Sequence, residues 1–218
     1  MIKFYGPRSD ILEKLASGIP EGAHVLEIGP GDVPFLRATH FVDRWFGRTN
    51  TTVVDVTNKP LPFADKTFDF VYCRHVVEDL FNPFLLLQEM SRVGKSGYIE
   101  TPSPMAELCR GIDGASPPYR GYVHHRWIVW VDQDGTLCFV EKANCIEHMD
   151  IPGYAVVLAN PAAWNTHYCW RDSITWSHKR HDIDFDLHRN YRQLLDMAVV
   201  STLSRMNEPL AIAAGGTK

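Results

Sequence analysis

At 218 residues the chain fits one domain of ordinary size, on a prior of ~150 residues per domain, and can bury roughly 70% of the surface of its unfolded form. Hydrophobic residues make up 45% and charged residues 22%, which excludes a disordered or low-complexity chain. Lys and Arg number 22 against 26 Asp and Glu, a net charge of −4, and that balance lends no support to a general nucleic-acid binder.

The first ten residues hold no apolar run of signal-peptide length. Nowhere do ~18 apolar residues run together, so no membrane span is expected. The cysteines are Cys73, Cys109, Cys138, Cys145 and Cys169, with no Cys-x-x-Cys pair. Reduced thiols in a cytoplasm fit that pattern better than a disulfide framework.

In chain order, the spacing of Ile11, Leu12 and Leu15 predicts a helix over about 9–16, capped by Ser9 or Asp10, with Glu13 in capping-box relation to Asp10. Gly18 and Pro20 end it. Short apolar runs then predict five strands, at 24–28, 40–42, 51–54, 68–73 and 98–101. Continuous apolar runs of this length read as strands buried on both faces of a parallel sheet. A helix over 83–93 separates the fourth and fifth, with Pro83 at a favoured first position. This pattern is a wound α/β sheet.

Residues 102–121, with Pro102, Pro104, Pro117 and Pro118, read as a long irregular segment of the sort that often serves function. Residues 127–131 and 136–141 flank Asp132-Gln-Asp-Gly135, a hairpin signal. Tyr154 to Ala159 is a further strand candidate, and 188–206 a helix with Tyr191, Leu194, Leu195, Ala198 and Leu203 on one side. The Ala-Gly-Gly-Thr-Lys end is expected to be disordered. The expected fold class is α/β: a Rossmann-like wound, mostly parallel sheet with an antiparallel hairpin and a substrate-side extension. A single domain is expected over 1–218, with an N-terminal helix in 1–20, a cofactor-binding half in 21–103 and a substrate-side loop, hairpin and C-terminal helix in 104–218.

The most informative stretch is Val25-Leu-Glu-Ile-Gly-Pro-Gly-Asp32, a buried strand running into a Gly-x-Gly turn. Glycines let the backbone turn sharply and approach a ligand with no Cβ between. In a wound sheet that turn lies at the carboxyl ends of the strands, where ligands bind. Glu27 sits on an otherwise apolar strand, and a buried acid is costly unless it is paired or hydrogen-bonded. Asp43 ends the second strand, placed to accept from ribose hydroxyls, and Asp55 ends the third, on the adenine side. A dinucleotide fingerprint needs a third glycine and favours an acid ~20 residues on. Here Pro34 stands at that third position, Asp43 comes sooner, and Asp32 would repel a pyrophosphate. The loop suits a nucleoside ligand without phosphates.

The chain here resembles the class I S-adenosylmethionine-dependent methyltransferases, above all the methyltransferase type 11 branch. VLEIGPGD resembles that family's first motif, and VVDV, ending the third strand, its adenine-side motif. Leu61 to Pro83 (LPFADKTFDFVYCRHVVEDLFNP) and Glu89 to Pro104 (EMSRVGKSGYIETPSP) resemble its fourth strand, last helix and fifth strand. The likeness covers about 22–104. It implies S-adenosyl-L-methionine as cofactor. It implies cofactor-binding roles for Glu27, Gly29, Pro30, Gly31, Asp43, Asp55, Val56, Cys73 and Arg74, with His75 at the same site. The chain departs from the family in a short crossover between Gly31 and Asp43, where the first helix is a turn or two at 34–38 or is irregular, and in Asp79, where the family often has histidine.

Methyl transfer from a sulfonium is an in-line displacement for which the protein mainly supplies alignment. An oxygen or nitrogen acceptor can also need a base, and histidine is the first suspect. His75 and His124 are therefore the candidate catalytic residues, with a cofactor-shaping role the other reading of His75. Of the adjacent His124 and His125, at most one would face a substrate. His178, His181, Asp182 and His188 lack a metal-binding pattern, so no metal is expected. Trp164, Tyr168, Trp170 and Trp176 read as packing, or as an acceptor pocket or subunit contact. The expected activity is methyl transfer to a small-molecule or sugar-like acceptor, with no nucleic-acid or membrane partner and no reading of oligomeric state. The alternatives are a non-catalytic binding or assembly module of the same fold and, less favoured, a nicotinamide-dependent oxidoreductase.

Overall fold

The computed structural model describes residues 8–45, 49–180 and 186–209. His181, Asp182 and the Ala-Gly-Gly-Thr-Lys end lie outside them. Along the chain run α1 (Ser9–Gly18), β1 (Val25–Ile28), β2 (His40–Asp43), β3 (Thr51–Val53), β4 (Phe70–Arg74), α2 (Pro83–Val93), β5 (Ser96–Pro102), α3 (Pro104–Leu108), β6 (Trp127–Val131), β7 (Leu137–Glu141), β8 (Asn165–Arg171), β9 (Trp176–His178) and α4 (Leu187–Arg205), with three short 3₁₀ turns between β7 and β8. The described residues fall into two compact units, one holding 8–100 and 167–174, the other 101–166 and 175–209.

The first unit is built on a sheet of strand order β3-β2-β1-β4-β5-β8. Strands β1 to β5 pair in parallel throughout. The fold is α/β, Rossmann-like and mostly parallel. The strand order reverses between β1 and β4, and such a switch point is where open α/β sheets bind ligands. In register, Ile28 pairs with Val42 on one side and Cys73 on the other, so the carboxyl ends of three strands finish level. The central strands are buried as their apolar runs imply, but β3 lies at the edge and leaves Val53 exposed.

Helix α1 lays Ile11 and Leu15 into a core with Val25, Phe35, Phe70, Tyr72 and Tyr98. Its expected cap does not form: the helix begins at Ser9, and Asp10 instead takes an ion pair from Arg8 at 2.6 Å. Helix α2 matches its expected bounds and buries Leu86, Leu87, Met90 and Val93. The chain then leaves it through Gly94, where a Cβ would come within 2.5 Å of Val71 Cγ2.

No helix joins β1 to β2. The 34–38 segment holds one turn, closed by the Ala38 N–H donating to Phe35 O at 3.0 Å. Pro30 and Pro34 withhold the amides a helix would need. The loop is pinned by the Phe35 N–H donating to Glu27 Oε2 at 2.9 Å and by Phe35 stacking on Tyr72 at 4.4 Å.

The second unit holds a three-stranded sheet, β6-β7-β9. Its β6–β7 hairpin turns at Gly135 (φ +84°) as the Asp-Gly signal predicts. Within 102–121, expected to be irregular, Ser103 caps α3 by accepting from the Ala106 N–H. The strand expected at Tyr154 to Ala159 is instead a turn and a 3₁₀ segment. Only Leu158 is fully buried there and Val156 is exposed, so the run has no face to lay on a sheet. On α4, Tyr191, Leu195 and Ala198 are buried as expected, but Leu203 is exposed. It lies about 140° round the helix from Ala198 at 3.6 residues per turn.

Candidate active site

At the switch point the chain leaves β1 through Gly29, whose N–H donates to Val42 O at 2.8 Å. Gly29 has φ +65°, and a Cβ there would lie 2.6 Å from Val76 Cγ2. The chain leaves β4 through Arg74 into His75, itself in the left-handed region at φ +52°. These two exits face each other and floor a cleft of about 200 Å³.

One wall of the cleft is Val42, Asp43, Arg44 and Trp45, another Asp55, Val56 and Thr57, and a third Val76, Asp79 and Leu80. Asp43 Oδ1 accepts from the Trp45 N–H at 2.9 Å, which fixes the turn after β2. Asp55 accepts from the Thr57 N–H, and that bond holds its carboxyl below the ordinary range. The Arg44 guanidinium lies 5.5 Å over the exposed Trp45 ring.

Of the residues expected to bind a cofactor, Gly29, Asp43, Asp55 and Val56 line this cleft, and so does His75. Glu27, Pro30, Gly31, Cys73 and Arg74 are not among its lining residues. Glu27 is buried beneath the turn as a brace for Phe35. Cys73 is fully buried in β4, and burial pushes its thiol up. His124 belongs to the other unit, where it is exposed and sets its ring against His125.

Residues 25–99 match the profile of a family described as methyltransferase domain. That segment is similar to a methyltransferase domain. Proteins of that family use S-adenosyl-L-methionine as cofactor, and the matched residues contain the glycine turn and every residue lining the cleft. Among solved structures, the chain is similar to an S-adenosylmethionine-dependent methyltransferase from Aquifex aeolicus, at 21% identity over 44% of this chain and 64% of that one, with a TM-score of 0.36. It is similar to one from Mesorhizobium loti at 16% identity, over 72% of this chain and 73% of that one, TM-score 0.35. It is also similar to an S-adenosylmethionine-dependent methyltransferase from Thermotoga maritima, described as a possible histamine N-methyltransferase, at 21% identity over 42% of this chain and 50% of that one, TM-score 0.34. The chain thus spans less than two thirds of the Aquifex and Thermotoga proteins. No curated protein matches it in sequence.

The cleft suits an adenosyl ligand better than a pyrophosphate. A dinucleotide needs a helix N-terminus directly after the glycine turn, and here a helix-free loop follows it. Three carboxylates, Asp43, Asp55 and Asp79, line the walls. They suit ribose hydroxyls, with Arg44 and His75 lining the same cleft. Gly29 supplies the close backbone approach.

The first unit also carries a buried polar chain beside the cleft, through His75, that the sequence did not reveal. His75 Nδ1 lies 3.2 Å from Glu78 Oε1, and its Nε2 lies 3.5 Å from Glu100 Oε1. Tyr98 donates its hydroxyl to Glu100 Oε2 at 2.5 Å and lies 2.7 Å from His167 Nδ1. Both glutamate side chains are 1% exposed, while that of His75 is 25% exposed. The signal was available, because Glu100 interrupts an apolar strand just as Glu27 does. The aromatic stretch splits: Trp164 joins the second unit's core, and Trp170 packs against Gly94 and Gly97 beside β5. None of Trp164, Tyr168, Trp170 and Trp176 is among the cleft's lining residues.

Proposed function

We propose that this chain is an S-adenosylmethionine-dependent methyltransferase acting on a small-molecule or sugar-like acceptor. The observation that carries the reading is the cleft at the switch point, where Gly29 clears the floor and Asp43 and Asp55 stand at neighbouring strand ends. The bound cofactor supplies an electrophilic methyl group on a sulfonium. Asp43 accepts hydrogen bonds from the ribose hydroxyls, and Asp55 and Val56 flank the adenine. Glu27 holds the loop after the glycine turn in place through Phe35. Cys73 and Arg74 set the end of β4 that leads into His75, and Pro30 and Gly31 shape the turn. Together they orient the nucleoside and exclude water from its apolar faces, which is the protein's main contribution to an in-line displacement.

Asp43→Asn tests the ribose contact. A hydrogen bond to a charged group is worth ~1.5–3 kcal/mol, so S-adenosylhomocysteine affinity should fall by roughly 10- to 150-fold in calorimetry. The amide oxygen still accepts from the Trp45 N–H, so the melting temperature should barely move. Unchanged affinity would remove Asp43 from the site.

His124 is the proposed proton acceptor for an acceptor hydroxyl or amine. His124→Asn should lower kcat by ~10²-fold or more at neutral pH and leave cofactor affinity alone. The absence of a helix between β1 and β2 favours a second reading, a non-catalytic module that binds the nucleoside without transferring its methyl group. Methyl transfer from labelled cofactor to any member of a small-molecule acceptor panel separates the two.

A further inference from the structure

We propose that His75 is a positioning residue, a charged imidazolium clamped between Glu78 and Glu100 that holds the left-handed turn over Gly29, and not the general base. The inference rests on the methyltransferase reading of the cleft and assigns a role within that site.

The geometry leaves His75 little freedom. One ring nitrogen faces Glu78 and the other Glu100 at 3.2 and 3.5 Å. Its backbone N–H donates to Glu100 O at 2.9 Å. Both carboxylates are buried, and Glu78 Oε2 has no hydrogen-bond partner among the described residues. Two buried negative charges this close to one ring need a positive charge between them. A non-glycine residue at φ +52° also needs surrounding structure to hold it there. The clamp supplies that hold, and the next residue is Val76, whose γ-methyl closes on Gly29. A ring with both nitrogens so engaged has no lone pair left for an acceptor's proton.

Burial alone would push the His75 imidazolium toward losing its proton. The bonds to Glu100 and Glu78 outweigh it and raise the pKa to about 9. Glu100 is likewise disfavoured as an anion by burial, but His167, His75 and Tyr98 hold its carboxyl well below the usual range. The sign follows. A raised histidine pKa means the clamp is fully present below the unfolded value of ~6.5 and is lost as pH rises through about 9. The other titratable groups lining the cleft beside this ring are Arg44, Asp43, Asp55 and Asp79; Arg74 and Cys73 precede it in the chain, and Tyr98 and His167 meet the other oxygen of Glu100. Burial pushes the Cys73 thiol and the Tyr98 hydroxyl well above their ordinary ranges.

The test has two arms on the full chain. In the first, ring ¹⁵N spectra of the ligand-free protein, assigned with His75→Gln, should show both His75 nitrogens protonated at pH 7.5. The titration midpoint should lie near 9 and fall by about one unit or more in Glu78→Gln. In the second, S-adenosylhomocysteine affinity should fall by about tenfold across that same midpoint, the size of one pKa unit of coupling. That edge should move down with the midpoint in Glu78→Gln and vanish in His75→Gln. A residue of merely structural importance would weaken binding without moving the edge. A neutral ring at pH 7.5, or an edge that ignores Glu78→Gln, overturns the proposal. Failure of S-adenosylhomocysteine to bind at any pH overturns the methyltransferase reading instead, and with it the site role, while the first arm still decides whether His75 is clamped and charged.

Discussion

Replacing Gly29 with alanine should abolish measurable S-adenosylhomocysteine binding and lower stability by about 2–5 kcal/mol. Two independent costs add. Gly29 sits at φ +65°, where an L-residue pays roughly 1–2 kcal/mol. The new methyl would also lie 2.6 Å from Val76 Cγ2, and overpacking of this kind costs about 1–3 kcal/mol. For a chain of this length the melting temperature should fall by roughly 5–15 °C. Gly31→Ala is the internal contrast. Its φ is +52°, but a Cβ there meets nothing within 4 Å, so only the conformational cost of about 1–2 kcal/mol remains. Adding Val76→Ala to Gly29→Ala removes the clashing methyl and should recover the packing part of the loss, a coupling that a double-mutant cycle reads directly. Equal effects at Gly29 and Gly31, or no recovery in the double variant, would mean that the close approach to Val76 does not shape the site.

Lys142→Met should cost about as much, 3–5 kcal/mol, for a different reason. In the second unit Lys142 Nζ lies 2.6 Å from Glu107 Oε2, and His125 Nδ1 lies 2.6 Å from Glu107 Oε1. The three side chains are 6%, 1% and 5% exposed, Lys142, Glu107 and His125 in turn. Breaking a buried pair by removing one partner leaves a charge with no water to solvate it, at about 3–5 kcal/mol. Adding Glu107→Gln removes that stranded charge and should restore much of the loss. Burial disfavours the Glu107 carboxylate, but Lys142 and His125 together hold its pKa below the ordinary value. A depressed carboxyl pKa gives stability that is present above ~4.3 and lost as pH falls. Lys142→Met raises that pKa, so the variant's deficit should be full near neutral pH and narrow as pH falls and Glu107 takes up a proton. Chemical denaturation across pH 4 to 8 checks both points, and a loss below ~1 kcal/mol would show that the pair is not buried as described.

The parallel sheet was legible because its strands are buried on both faces, so β1 and β4 read as unbroken apolar runs. Helix α2 was legible because Pro83 and Gly94 punctuate it. The nearness of the glycine turn to the acids at 43 and 55 was legible for a further reason: each follows or ends a strand of one parallel sheet, and such ends gather on one edge. What stayed hidden depends on partners distant in sequence. Trp164 to Trp170 reads as an aromatic cluster, yet β8 is an edge strand that only its neighbour β5 defines. The His75 clamp joins residues 75, 78, 98, 100 and 167, and no spacing rule connects them. The run from Tyr154 to Ala159 misled because apolar residues without alternation fit a turn as well as a strand.

The most direct measurement is calorimetric titration of the purified chain with S-adenosylmethionine, S-adenosylhomocysteine and NAD, after removal of any copurified nucleoside. The cleft described here predicts saturable binding of both adenosyl ligands, no binding of NAD, and a melting temperature raised by roughly 5–10 °C at a hundredfold excess over Kd. Binding of NAD, or of none of the three, would contradict it.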